Sequence, residues 1–187
     1  MKEEFIELLK QTNREGIEGL LEFLEKSDFY TAPASTRFHG SEEGGLLKHS
    51  LKVYEVLKHK VENNVLGLEV PEDTVIITAL LHDICKTNFY TVDYRNAKNA
   101  LGVWEKVPYY TVEDTIPYGH GEKSVYILSG FMRLTRLEAM IINWHMGGFD
   151  ARVKGGSYSL SDAYYKFPLA AIFHTCDLLA TYLDETK

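Results

Sequence analysis

Apolar residues recur at helical spacing through most of the chain and at alternating spacing in one stretch. Near the start, Phe5, Leu8 and Leu9 form one stripe, and Ile17, Leu20, Leu21 and Leu24 a second; two short amphipathic helices are expected. Thr12 followed by Glu15 has the pattern of a capping box that would open the second. Residues 28–43, DFYTAPASTRFHGSEE, carry Pro33 and several hydroxyl residues and read as a loop. A longer helix is expected from about Gly45 to Asn63, with Leu47, Leu51, Tyr54 and Leu57 on one side. Pro71 suits the first turn of the next, which carries TVIITALLHDICK. In residues 89–113, FYTVDY and KVPYYTV are aromatic and β-branched around an Asn- and Gly-containing stretch, which predicts a β-hairpin. Helices are expected again after Pro117, and over 135–146 behind a second T-x-x-E box at Thr135 and Glu138. A final helix runs from about Pro168 to Asp184. Gly147 and Gly148 should stop the penultimate helix. The pattern is mostly α, a single all-α domain over residues 1–187, with 1–32 an N-terminal helical segment and 89–113 a hairpin insertion.

A chain of 187 residues buries roughly 70% of its unfolded surface, so stability needs no disulfide or metal staple. Any metal site would therefore serve function. The net charge of -7, from 20 Lys+Arg and 27 Asp+Glu, excludes a generic basic nucleic-acid coat. More than half of that charge sits in residues 1–30, on what reads as the solvated face of the first two helices. It leaves open an anionic substrate held by a metal. Cys85 and Cys176 lie far apart without a CxxC pattern, which suits a reducing compartment. No basic segment leads into a long apolar run, and nowhere do ~18 apolar residues follow one another. A cytoplasmic protein without a membrane partner is expected.

Candidate chemistry lies where His and Asp interrupt apolar helices. Residues 75–85 read VIITALLHDIC, 139–146 read AMIINWHM, and 169–183 read LAAIFHTCDLLATYL. A helix apolar on most faces is buried, and a buried carboxylate needs a partner. Few bases lie on these stretches, while imidazole and carboxylate together suit a transition-metal dication. A single histidine such as His145 or His174 is ordinarily a core residue with a satisfied hydrogen bond. The adjacent pair His82 and Asp83 is different: neighbours on a helix point ~100° apart, so both reach one centre only from a turn or helix end. Taken together, the positions point to a metal site.

These residues resemble the HD-domain phosphohydrolases, whose pattern is H…HD…D, extended in dinuclear members to H…HD…H…H…D. His49 in GGLLKHSLKV, His82 and Asp83 in LLHDICK, and Asp177 in HTCDLLA match the first pattern; His120 in GHGEKS and His145 in NWHMGG match the two additional histidines. The resemblance runs from about Pro33 to Asp184. It implies a helical bundle with metals in its core. His49, His82, Asp83 and Asp177 would hold one ion, and His120 and His145 a second, with Asp83 bridging. The ions would be one or two divalent transition metals (Mn, Fe, Co, Ni or Zn, with Mg possible). Asp83 and Lys86 would be catalytic, with Lys86 on a substrate phosphate. Thr36, Arg37 and His39, in the loop before the first ligand helix, are placed as further substrate contacts; a surface arginine is the alternative for Arg37.

The stretch PASTRFHGSEEGGLLKHSL is also similar to bacterial HD-type 3′-to-5′ exoribonucleases and to small stand-alone HD proteins. The Gly-Tyr-Pro signature of cyclic-di-GMP phosphodiesterases is absent, and Ile84-Cys85-Lys86 replaces the Glu-Asp extension of (p)ppGpp hydrolases. The 32 helical-looking residues before Pro33 cannot form the β-barrel of the exoribonucleases. The resemblance thus implies hydrolysis of a phosphate ester of a nucleotide or short oligonucleotide by metal-activated water, with long nucleic acid disfavoured. The alternatives are a 3′-to-5′ exonuclease-like phosphodiesterase, a di-iron oxygenase with the same six ligand types, and a non-catalytic nucleotide sensor. Tyr90, Tyr94, Trp104, Tyr109 and Tyr110 of the hairpin could stack a base or form its packing face.

Overall fold

The structure is a computed structural model that describes residues 1–37, 40–63 and 67–184. Its elements are α1 (Lys2–Gln11), α2 (Ile17–Lys26), α3 (Gly45–Glu62), α4 (Glu72–Leu81), a 3₁₀ turn (Ile84–Lys86), β1 (Tyr90–Lys98) and β2 (Trp104–Val112). There follow α5 (His120–Ser129), α6 (Arg136–Trp144), a 3₁₀ turn (Gly147–Phe149), α7 (Ala151–Lys154), α8 (Ser159–Lys166) and α9 (Pro168–Leu179), which widens into a π segment (Ala180–Asp184). The architecture is mostly α, as the hydrophobic pattern predicts. The bundle is built on α3, α4, α6 and α9, with α5 against α6, α8 against α9 and α1 against α4.

Helix α4 forms the axis of the core because it has no polar side to give to solvent. Every residue from Thr74 to Leu81 is buried, and Thr78 satisfies its hydroxyl on the Thr74 carbonyl, 2.7 Å away. Leu46, Val53 and Leu57 of α3, Ile141 and Ile142 of α6, and Leu169 and Phe173 of α9 belong to the same apolar cluster. This packing brings the C-terminal ends of α4 and α6, the first half of α3 and the C-terminal half of α9 to one place.

Two expectations need correction. The Thr12–Glu15 box does not form: Thr12 Oγ1 donates to the Leu9 carbonyl at 2.7 Å and so closes α1. The chain then turns through Asn13 and Gly16, both with positive φ, and α2 opens at Ile17 without a side-chain cap. Gly16 is required there, because a Cβ would overlap the Phe131 carbonyl at 1.8 Å. The helix over 136–144 is also not the penultimate one. Both α7 and α8 follow it, in a tyrosine- and glycine-rich stretch, ARVKGGSYSLSDAYYK, too short and polar to show a helical stripe. The box at Thr135 does form, with both reciprocal bonds present. Glu138, its acid, is wholly buried and also takes the Arg14 guanidinium at 2.5 and 2.6 Å and the Thr74 hydroxyl at 3.1 Å. That network ties the α1–α2 turn to α4 and α6.

The hairpin pairs in one continuous antiparallel register, from Tyr90 opposite Val112 to Lys98 opposite Trp104. Its turn is held by Asn99, whose side-chain oxygen accepts from the Leu101 and Val103 amides at 3.0 Å, and by Gly102 at φ +76. Most of the ribbon is exposed. Among the described residues, no helix is long and apolar enough to cross a membrane.

Candidate metal centre

His82 and Asp83 sit where α4 runs out. His82 is the C-cap, and Asp83, at φ -100 and ψ 16, turns the chain into the 3₁₀ segment. Neither side chain is therefore confined to one helical face, the condition the sequence sets for both to reach one centre. His145 is likewise the C-cap of α6, His120 the first residue of α5, His49 lies in the first half of α3, and Asp177 lies near the end of α9. All six expected residues converge. His49 Nε2 lies 3.3 Å from His82 Nε2 and 3.2 Å from Asp177 Oδ1.

Asp83 divides the cluster with its two oxygens. Oδ1 faces His120 Nε2 at 2.7 Å and His145 Nε2 at 3.4 Å. Oδ2 faces His82 Nε2 at 3.5 Å, His49 Nε2 at 3.7 Å and Lys86 Nζ at 2.6 Å. Among the described residues, three overlapping sets could each hold an ion: His49, His82 and Asp83; His82, His145 and Asp177; and Asp83, Cys85 and His120.

The tautomers are set by the backbone. His82 Nδ1 lies 2.9 Å from the Ala79 carbonyl and His145 Nδ1 2.7 Å from the Ile142 carbonyl. A carbonyl only accepts, so each Nδ1 carries the proton and each Nε2 presents a lone pair to the cluster. His145 Nε2 is buried and, among the described residues, has no hydrogen-bond partner. A buried acceptor aimed at other acceptors is costly unless a cation meets it. The donor set, imidazole nitrogen with carboxylate oxygen, fits a transition-metal dication.

The electrostatics are those of a site built for cations. Burial would raise the Asp83 carboxyl, but Lys86, His82, His120 and His145 outweigh it and hold Asp83 well below the carboxylate range. Asp177 is lowered against its burial, chiefly by His49. Burial pushes His82 down to about 3. At His120 burial acts downward, yet Cys85 and Asp83 beside it push the imidazole up to about 10. Lys86 is raised against its own burial by Asp83. The sequence finds few bases for the buried acids; the structure shows that Lys86 is one, paired with Asp83 and lining the site.

A cleft of about 520 Å³ opens over the cluster; its lining includes Thr36, His49, Asp83, Lys86, Tyr90 and His120. Thr36 thus reaches the site from the loop. Arg37 lines a neighbouring cleft instead, and His39 lies outside the described residues. The polar residues after His120 all have partners: Lys123 on Asp114 at 2.6 Å, Ser124 accepting from the Cys85 amide at 3.2 Å, and Glu122 on Arg152 at 3.0 Å.

Three contributors take no site role from the sequence pattern. His174 Nδ1 donates to the carbonyl of His145 at 2.6 Å, and its ring occupies the space a Cβ on Gly147 would need. Arg152 bonds Asp150, Asn143 and Glu122 and lies 3.9 Å over the Trp144 ring, clamping the end of α6 to α5 and α7. Gly121 lets α5 approach α6, since a Cβ there would stand 2.3 Å from the Asn143 carbonyl. The spacing His174 to Asp177 is one helical turn, the only sequence signal among them.

Comparison with known proteins agrees with this geometry. The HD domain family model matches residues 46–181. A curated relative, dihydroneopterin 2′,3′-cyclic phosphate phosphodiesterase of Methanocaldococcus jannaschii, is 41% identical over 61 residues, covering 32% of this chain. The match spans 24% of that protein's length. No solved structure matches significantly. With the family model covering most of the chain and the convergent His and Asp residues within it, the protein belongs to the HD domain family.

Proposed function

We propose that the protein hydrolyses a phosphate ester of a nucleotide or short oligonucleotide at a dinuclear centre. His49, His82, Asp83 and Asp177 would hold one ion and His120 and His145 the other, with Asp83 shared between them. The observation that carries this reading is the division of Asp83, one oxygen toward His120 and His145 and the other toward His49 and His82. Divalent cations (Mn, Fe, Co, Ni or Zn, with Mg possible) supply Lewis acidity toward water and the phosphoryl oxygens.

The chain's own groups do the rest. The Ala79 and Ile142 carbonyls fix the His82 and His145 rings, so ligand positions are set before substrate arrives. Lys86, fully charged and 2.6 Å from Asp83, keeps that carboxylate ionised and offers its remaining N–H groups to a phosphate oxygen. Thr36 supplies a hydroxyl at the rim of the same cleft. The archaeal relative is named for a cyclic phosphodiester, which supports a phosphodiester over other esters. Elemental analysis of protein purified without chelator should give close to two metal ions per chain. A screen of nucleotides, cyclic nucleotides and short oligonucleotides with each metal should then find turnover. Oxygen consumption by iron-loaded protein, with no hydrolysis product, phosphomonoester or free phosphate, formed from any of these, would replace this reading with an oxygenase.

A further inference from the structure

We propose that the cleft under the hairpin, beside the metal centre, is a second substrate subsite that takes the nucleoside phosphate adjoining the scissile one. On this assignment, which rests on the reading of Asp83 and its neighbours as a phosphohydrolase centre, the substrate contains at least two nucleotide units. The cleft measures about 580 Å³, enough for a nucleotide, and is lined by Thr36, Arg37, Val92, Arg95 and Tyr110 among others.

Continuity with the catalytic cleft comes from the register of the hairpin. Tyr90 and Val112 are paired and line the catalytic cleft; Val92 and Tyr110, two residues further along each strand, are paired on the same face and line the second. The Tyr90 and Tyr110 rings stand 6.3 Å apart, and Thr36 borders both clefts. Tyr90 is fixed in place by its hydroxyl, which donates to the Ala34 carbonyl at 3.2 Å. An aromatic and aliphatic strip thus leads outward from the metal centre, with Val92 still 55% exposed.

Charge in this cleft favours an anion. Arg37 and Arg95 both line it, and the Arg95 guanidinium stands 5.5 Å over the Tyr109 ring. Glu42, also in the lining, pairs with Lys48 at 3.1 Å. A Val92–Tyr110 pair stabilises the ribbon by itself; it does not call for two guanidinium groups at the same cleft. A cleft that the Val92–Tyr110 pair lines from one face of the ribbon, and that Arg95, stacked on Tyr109, and Arg37 also border, matches a base stacked next to a phosphate.

The test compares two ligands on the Mn²⁺-loaded protein: a phosphorothioate-linked dinucleotide carrying a 5′-phosphate, and a 5′-mononucleotide. By calorimetry the wild type should bind the dinucleotide at least about tenfold more tightly, a range that aromatic stacking supports. Arg95→Ala and Tyr110→Ala should each lower that ratio about fivefold or more, with thermal midpoints confirming that the ribbon is folded. A wild-type ratio near one, or a ratio untouched by both variants, overturns the subsite. Cleavage of the unmodified dinucleotide is scored separately. If the ratio behaves as expected but no metal supports cleavage, the hydrolase reading fails and the subsite stands.

Discussion

Asp83 and Glu138 are both buried carboxylates, 3% and 0% exposed, the one just past the end of α4 and the other in the first turn of α6. Burial alone does not separate them; their partners do. Glu138 receives a guanidinium, a hydroxyl and the Thr135 amide, all donors, and every one belongs to the fold. Asp83 faces four imidazoles and one ammonium, and two of those imidazoles have their protons turned away to backbone carbonyls. Around Glu138 both carboxylate oxygens are met by donors of the chain, and the atom left without a hydrogen bond there, Arg14 Nε, is a donor that still has the Asp73 carboxylate 3.4 Å away. Around Asp83 the hydrogen-bond account leaves acceptors facing acceptors, His145 Nε2 most plainly, and closes when cations are added.

Removing each carboxylate should therefore have opposite consequences. Asp83→Ala takes away the group between the two halves of the cluster. Turnover should fall by at least ~10³-fold, as expected when an organising electrostatic group is lost, and bound metal should drop below one ion per chain. Turnover at the wild-type rate would sink the site assignment. Glu138→Ala takes the buried acceptor from the Thr135 amide and from the Arg14 guanidinium, which keeps only the more exposed Asp73 at 3.4 Å, and should destabilise the fold by about 3–5 kcal/mol in denaturant melts. The folded fraction of that variant should keep its metal content and its turnover within about twofold. If metal content falls with Glu138 as it does with Asp83, the two carboxylates belong to one system and the distinction collapses.

How far the sequence carries this distinction depends on the kind of signal. The helices with long apolar stripes, α3, α4 and α9, announce themselves, and His82 next to Asp83 at the end of an apolar run marks a centre rather than a face. The six ligand types in order add the rest of the centre through family resemblance. Three-dimensional neighbours leave no such trace. Glu138 reads only as the acid of a capping box because its second partner, Arg14, is 124 residues away. The same distance effect hides the failure of the Thr12–Glu15 box, since Arg14 is drawn to Glu138 and Gly16 is pressed on Phe131. Lys86 shows its spacing from His82 but not its pairing with Asp83, which follows from the helix ending at Leu81. Helices α7 and α8, held by Asp150, Arg152 and neighbouring helices, carry too little periodicity to be seen.

A smaller effect tests whether the Asp83 cluster depends on close helix packing, as the Glu138 network depends on its ion pair. Gly121→Ala places a methyl 2.3 Å from the Asn143 carbonyl and 2.7 Å from that of Ile142, the carbonyl that orients His145. Overpacking of this kind costs about 1–3 kcal/mol. Because α5 carries His120, the displacement should weaken the second ion more than the first, so stoichiometry should fall toward one per chain at limiting metal. Equal weakening of both ions would show that α5 does not hold them separately.

The comparison is sharpened last by the pH dependence of the metal-free protein, which the imidazoles set first. His120 is pushed up to about 10, so its contribution to stability is complete below its unfolded value of 6.5 and is lost as pH rises toward 10. His82 is pushed down to about 3, so the folded state resists a proton that the unfolded chain accepts; stability is lost as pH falls from 6.5 toward 3. The lowered Asp83 and Asp177 carboxyls add a further loss below 3.8, their unfolded value. The opposing slopes meet near pH 6.5, where the thermal midpoint measured in chelator should peak. Saturating metal should displace the His120 proton and remove the alkaline limb, because the imidazole then has a cation in place of its proton. Glu138→Ala should lower the whole curve without moving its maximum. An alkaline limb that survives metal loading would place His120 outside the metal centre.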